Sequence, residues 1–426
     1  MGVVLVAVFL FFLIVAVPIG ISLGMASFVA VFVQGRFPLE TVFHTMASGL
    51  TSYILLSIPF FIIAGELMNF GGITTKIFDF ANALVGRIPG GLAHANVMAS
   101  IIFAGMSGSA VADAGGLGAI EMKAMKEKGF DDEFSAAVTA ASSTIGPIIP
   151  PSIPMVVYGV AAEVSVGKLF IGGFIPGILM GLTMMVFVYI MSVRRNYPRL
   201  DRFSLKYVGS TFVSAFLPIL TPAIIIGGIM GGIFTPTEAA GVAVVYALLL
   251  SIFVYRELNW SRLREIIFNA LVNTSTILFI IGGAAAFAWL IAIYGIPAQL
   301  AKIVSGMNLP VWAFLLLFNA FFLFLGTFME ALSVLIIVVP VLMPIVAALN
   351  LDPLHIGVVL VLNLMIGLIT PPVGMSLFVT SKVANVKLER LCVSILPFII
   401  PLVITLALIT YIPSLVTFLP GIVFAK

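Results

Sequence analysis

Residues 142–152 read Ser142-Ser143-Thr144-Ile145-Gly146-Pro147-Ile148-Ile149-Pro150-Pro151-Ser152, and 221 positions after Gly146 the chain reads Gly367-Leu368-Ile369-Thr370-Pro371-Pro372-Val373-Gly374. Both stretches lie inside long apolar runs, yet neither can continue a regular helix. Each proline lacks an amide hydrogen, and its ring clashes with the carbonyl one turn earlier. Four more features recur at the same offset: Pro89 and Pro310, Gly105 and Gly326, Asp131 and Asp352, Pro176 and Pro397. With Gly146/Gly367 and the Pro-Pro pairs, so many coincidences at one register mean that the chain holds two copies of one unit. Each copy reads as a span, a helical hairpin, a span broken around a Pro-Pro pair, and a further span.

Composition says what surrounds the breaks. Of 426 residues, 62% are hydrophobic and 9% charged, with 36 Phe, 39 Gly and 24 Pro. A soluble domain carries about 25% charged residues, so this chain is read as an integral protein of a lipid bilayer. Gly and Pro are dispersed through the apolar runs without period-two alternation, which makes the fold class an all-α polytopic membrane protein and not an outer-membrane barrel. The single Cys392 allows no internal disulfide, and His44, His94 and His355 show no metal-ligand spacing. The net charge of +3 sits in short loops beside apolar runs and implies no nucleic acid. Neither a catalytic cluster nor a P-loop pattern is present, so no enzyme is expected.

Crossing ~30 Å of hydrocarbon takes roughly 20 residues. Runs of that order lie near 3–33, 51–70, 132–165, 168–193, 209–233, 236–255, 268–292, 353–384 and 391–414, giving nine expected spans. Two stretches, 91–126 and 310–347, are too long for one helix. The first is interrupted at Gly105-Met106-Ser107-Gly108-Ser109, the second at Gly326-Thr327 and again at Pro340. Each is expected to be a re-entrant hairpin with its tip buried in protein or facing a wet cavity. The organisation that follows is an N-terminal scaffold span in 1–50, a first repeat over 51–193, central scaffold spans and loops over 194–267, a second repeat over 268–414 and a tail over 415–426.

Orientation follows from the basic loops. Arg194, Arg195, Arg199, Arg202 and Lys206 crowd one connection, Arg256, Arg262 and Arg264 another, and Lys382, Lys387 and Arg390 a third. All three are expected on the cytoplasmic side. The base of the first hairpin, with Lys123, Lys126 and Lys128, falls on that side and the base of the second on the other. An odd number of spans separates the two copies, so the second is inverted.

Inverted repeats with paired hairpins and broken helices are the architecture of secondary transporters. Carbonyls freed at the Pro-Pro pairs, with hydroxyls nearby, suit a hard cation such as sodium, while half-helix N-termini suit a carboxylate. Coupled transport of an organic anion is the expected function, and two buried hairpins would obstruct an open channel. Carboxylates inside the apolar runs are costly unless paired or used. Of these, Glu330 lies at a hairpin tip, Asp113 is expected to cap the second arm of the first hairpin, and Glu66 and Glu238 are expected to make structural hydrogen bonds or interface pairs.

Four motifs carry a family resemblance: Ile58-Pro59-Phe60-Phe61-Ile62-Ile63-Ala64-Gly65-Glu66-Leu67-Met68-Asn69, Pro89-Gly90-Gly91-Leu92-Ala93-His94-Ala95-Asn96, Gly105-Met106-Ser107-Gly108-Ser109-Ala110-Val111-Ala112-Asp113 and Thr235-Pro236-Thr237-Glu238-Ala239-Ala240. Over essentially its whole length the chain resembles the large membrane subunit of tripartite ATP-independent periplasmic transporters. The resemblance implies sodium-driven uptake of an organic acid, such as a C4-dicarboxylate, sialic acid or another sugar acid, across the bacterial inner membrane by an elevator-like movement. It also implies a small four-helix membrane subunit, which no segment here is expected to supply, and a periplasmic substrate-binding protein. Carried over residue by residue, it puts one co-transported sodium ion at Ser107 and Ser109 with backbone around Gly146. The other sits at Gly326 and Thr327 with Gly367 and Thr370. Substrate contacts are expected from Ser109, Thr144, Ser152 and Glu330; many relatives have an aspartate where this chain has Glu330. The alternative is a stand-alone sodium/divalent-anion symporter of related fold.

Overall fold

The computed structural model describes residues 1–70, 72–199 and 204–424, and among them every regular element is helical. That is the solution open to a chain in hydrocarbon, where each backbone amide and carbonyl must find its partner within the protein. Seven helices are long and apolar enough to cross a membrane, and the bent pair Glu40–Ser48 and Tyr53–Asn69 makes up to eight. The two copies correspond helix by helix at the 221-residue offset. Gly91–Ser107 answers to Val311–Phe328, Asp132–Ser143 to Pro353–Gly367, Ile153–Ala161 to Met375–Ala384, and Val166–Arg194 to Leu388–Tyr411.

The copies run in opposite directions. Arg195, just past the end of Val166–Arg194, pairs with Asp131 at 3.1 Å, and Arg390, at the start of Leu388–Tyr411, pairs with Glu133 at 3.3 Å. One helix therefore ends where its counterpart begins, and Thr183 and Thr405 meet at 2.8 Å between them. These pairs, with Lys126 on Asp132 at 2.7 Å, also gather the first hairpin's base and two of the basic connections on one face. Arg202 of that expected cluster lies outside the described residues. The second hairpin's base lies at the other end of Leu388–Tyr411, where Tyr411 donates to the Trp312 carbonyl at 3.2 Å.

The N-terminal run is not the single span expected over 3–33. Gly2–Ile14 ends on Ala16 in the left-handed region (φ 60), and Val17 donates its amide back to Phe12. Pro18 fixes that stop, because it disfavours helical backbone at Val17. The chain returns as Ile19–Gln34. Gly2 lies against Tyr294 and Ile296, and Gln34 accepts the Tyr294 hydroxyl at 2.9 Å. Both ends of 2–34 thus meet at one place, making two short antiparallel helices. Likewise the span expected from 51 begins earlier, at Glu40, and bends by 64°.

The two broken spans form the centre. Asp132–Ser143 and Pro353–Gly367 are buried along nearly all their length. Side-chain amides tie each to the first arm of its own hairpin. Asn96 donates to Thr139 and accepts from Ser142, both at 2.7 Å, while Asn363 donates to Asn319 at 2.8 Å and Asn319 to Thr410 at 2.9 Å. Ser142 and Asn363 are equivalent positions. Apolar packing drives association weakly between helices in lipid, so such bonds help fix which helices pair.

Hairpin and broken span of the second copy cross at two glycines. A Cβ on Gly367 would stand 2.6 Å from the Gly326 backbone. Gly367→Ala is expected to destabilise the protein by about 1–3 kcal/mol, because the contact is with main chain and cannot be relieved by a rotamer. Gly241→Ala, whose Cβ would meet nothing within 4 Å, serves as the control. The measurement is the melting temperature in detergent, which should fall for the first variant and not for the second.

Candidate functional site

The first hairpin turns at Gly108, where φ is +62 and a Cβ would stand 2.5 Å from the Pro151 carbonyl oxygen, so glycine alone is admitted without strain. Ser109 then starts the second arm, its Oγ accepting the Ala112 amide at 3.4 Å. The cap expected of Asp113 therefore belongs to Ser109. Asp113 instead accepts the Ser107 hydroxyl on Oδ1, and its Oδ2 lies against Gly146 with no hydrogen-bond partner among the described residues. The Ser107 oxygen also accepts the Ser109 amide at 3.3 Å. Ser107, Ser109, Asp113 and Gly146 are thus brought together where the first tip meets the first break.

The second tip comes three residues later than Gly326-Thr327. Val311–Phe328 remains helical through both, and the chain turns at Met329 in extended conformation. Glu330 caps the next helix: its Oε2 accepts the Ser333 amide at 2.9 Å and the Ser333 hydroxyl at 3.1 Å. The expected break at Pro340 is absent, since Ala331–Ala348 runs through it; neighbouring helices can satisfy the carbonyl that a proline frees. The interruption falls in the first hairpin instead, where its second arm splits at Gly115 and Gly116. Gly326 packs on Gly367, the Thr327 carbonyl accepts the Gly374 amide at 3.3 Å, and the Thr327 and Thr370 hydroxyls donate to Phe324 and Ile366. A hydroxyl that spends its proton on a carbonyl keeps oxygen lone pairs for a cation.

Both tips and both breaks open on one cavity of about 490 Å³. Residues 107–112 and 330–333 line it from the tips, Pro147, Ile153, Pro154, Met365, Leu368 and Met375 from the broken spans, and Ile62, Gly65, Glu66, Asn273, Thr276 and Ile280 from the opposite wall. Ile153–Ala161, Ala331–Ala348 and Met375–Ala384 begin there, so three positive helix ends converge. Among the described residues no Lys, Arg or His lines the cavity.

Two expected contacts do not reach it. Thr144 is fully buried with its hydroxyl on the Ala141 carbonyl. Ser152, equally buried, donates to the Pro147 carbonyl and caps Ile153–Ala161 by accepting the Met155 amide at 3.2 Å. They shape the break rather than the cavity. Conversely, Glu66, Asn273 and Thr276 line the cavity, a place that the sequence pattern does not assign to them. The polar run Asn273-Thr274-Ser275-Thr276 inside an apolar helix is the signal that could have found the last two. Glu238, as expected, is structural: it forms a capping box with Thr235.

Residues 6–415 match the family described as tripartite ATP-independent periplasmic transporter, DctM component. The chain is 42% identical over 403 residues to the sialic acid TRAP transporter large permease protein SiaM of Vibrio cholerae, covering 95% of this chain and 94% of that one. It is 42% identical over 369 residues to the C4-dicarboxylate TRAP transporter large permease protein DctM of Pseudomonas aeruginosa, covering 87% and 86%. The crystal structure of the Alcanivorax borkumensis YdaH transporter shares the fold with a TM-score of 0.58 at 15% identity, over 91% of this chain and 89% of that one. With these matches spanning nearly all of its length, the chain belongs to the DctM family of tripartite ATP-independent periplasmic transporters, as a multi-pass large permease subunit of the bacterial inner membrane.

Proposed function

We propose that this subunit takes up an organic acid by sodium-coupled secondary transport, with the central cavity as its substrate site. The observation that carries the reading is the convergence of two hairpin tips and two broken helices on one cavity. In this reading Ser107, Ser109 and backbone near Gly146 hold one sodium ion, and Gly326, Thr327, Gly367 and Thr370 the other. The ions offset the substrate's charge, Ser109 and Glu330 contact the substrate, and the helix starts receive its carboxylate. The relatives' named substrates, sialic acid and C4-dicarboxylates, are both organic acids.

The proposed motion is an elevator, in which the hairpins and broken spans slide against the opposite wall. A second, apolar cavity of about 150 Å³ supports it: Gly49, Ala284, Ala285 and Ala288 face Val157, Val160 and Ala161, with Leu55, Ile281, Ile336 and Pro340 beside them, so this interface is apolar and not fully filled. The wall has to stay fixed, which is the part proposed for a small four-helix membrane subunit. A periplasmic binding protein would deliver the acid.

Uptake into proteoliposomes is expected to follow an inward sodium gradient, and equal uptake with potassium in its place would remove the coupling. Thr370→Ala is expected to weaken apparent sodium affinity at least several-fold with little loss of stability, since it removes one ligand oxygen and leaves Ile366 a helical carbonyl. Ser107→Ala should do the same but also destabilise by about 1–3 kcal/mol, because Asp113 loses its donor in a buried setting. Unchanged sodium affinity in both variants would misplace both ions. The chain reconstituted alone is expected to transport poorly until both partners are added; strong uptake of free substrate by the isolated chain would favour a stand-alone symporter.

A further inference from the structure

The second cavity, of about 150 Å³, lies between two bodies. Gly49, Ala284 and Ala288 belong to the wall, whereas Val160 comes from the second half of the first broken span and Ile336 and Pro340 from the second arm of the second hairpin. Each body is closely packed in itself. A Cβ on Gly49 would stand 2.4 Å from that of Ala285, so the two wall segments touch. On the other side the fully buried Tyr158 donates its hydroxyl to the Pro353 carbonyl at 2.6 Å and lies against Gly357, which ties Ile153–Ala161 to the second copy. The unfilled space lies across the seam.

What can occupy it follows from its lining. A water held in a cavity needs about two to four polar partners, and among the described residues no polar side chain lines this one. An ion is excluded more strongly, because nothing there replaces its hydration. A small hydrocarbon gives up no hydrogen bond on entering, and it supplies the dispersion contacts that the facing apolar side chains lack across the gap. Volume sets the size: an apolar cavity of roughly 150 Å³ stays dry and takes a molecule such as benzene. Because the lining belongs to both bodies, an occupant fits one relative arrangement of them and favours that arrangement by its own binding free energy.

We propose that this cavity is a binding site for a small uncharged hydrocarbon of benzene size, and that its occupation holds the hairpin side and the wall in the arrangement described above. The binding follows from the cavity alone, while the holding role rests on the elevator reading. Hexafluorobenzene, followed by fluorine NMR on the purified full chain in lipid nanodiscs, is the probe of the first part.

A saturable resonance distinct from that of lipid-dissolved probe is expected, and benzene should displace it. Ala288→Leu, which fills the cavity from the wall, should weaken binding about tenfold or more; Val160→Phe, which fills it from the other side, takes its place where the first variant does not fold. Ile336→Ala, which enlarges the cavity, should keep the resonance. Lipid-dissolved probe alone in the unmodified chain, or a bound resonance unchanged in the filled variants, overturns the site. Holding is read from spin labels at two exposed positions, Lys123→Cys on the first hairpin and Arg264→Cys on the wall helix, in a chain whose Cys392 is replaced by Ser. Two label distances without benzene should become one at saturating benzene. Two distances that persist while the site is filled overturn the holding role. One distance under both conditions overturns the elevator reading, and the binding site then stands without it.

Discussion

A helix broken at membrane depth has to be covered, because an unpaired backbone group in hydrocarbon costs several kcal/mol. The Pro-Pro pairs make two such breaks near the middle of the protein, and much of the architecture can be understood as their covering. Gly108 turns against the Pro151 carbonyl, Ser152 gives its hydroxyl to the Pro147 carbonyl, and the Thr327 carbonyl takes the Gly374 amide. Each break is closed by the hairpin of its own copy. A hairpin can approach that closely only if side chains are absent at the crossing, which is the physical role of Gly326 and Gly367.

Covering a break with a hairpin tip has a further consequence. Helix starts, which carry unpaired amides, are placed beside the freed carbonyls and hydroxyls of the break, so donors for an anion and acceptors for a cation share one cavity. The bilayer's demand for backbone satisfaction thus leaves a site with both kinds of partner. Glu330 and Ser109 occupy equivalent caps, but the copies have diverged around them. Ser107 and Asp113 of the first copy correspond in register to Phe328 and Val334 of the second. The first tip keeps its carboxylate inside, against Gly146, while the second turns one towards the cavity.

The sequence by itself determined the membrane class, the duplication, the hairpins, the breaks and the inversion of the second copy. Each rests on local chemistry: a proline breaks a helix wherever its freed carbonyl finds no other partner, and basic loops set orientation by their charge. It determined less where apolar composition is uniform. The turn at Ala16 to Pro18 lies in a run with no polar contrast, so two short helices read as one span. Pro340 reads as a break and yet lies inside a continuous helix, since the carbonyl that a proline frees in a membrane helix can be satisfied by neighbours in space and not in sequence. Only the tertiary structure decided which polar residues face the cavity. Thr144 and Ser152 stand beside the first Pro-Pro pair yet turn their hydroxyls to nearby carbonyls, whereas Glu66 and Asn273, distant in sequence from either break, form the opposite wall. The direction a side chain takes from an irregular backbone is set by what packs around it, and in a protein apolar on nearly every helix face no periodicity in the sequence records it.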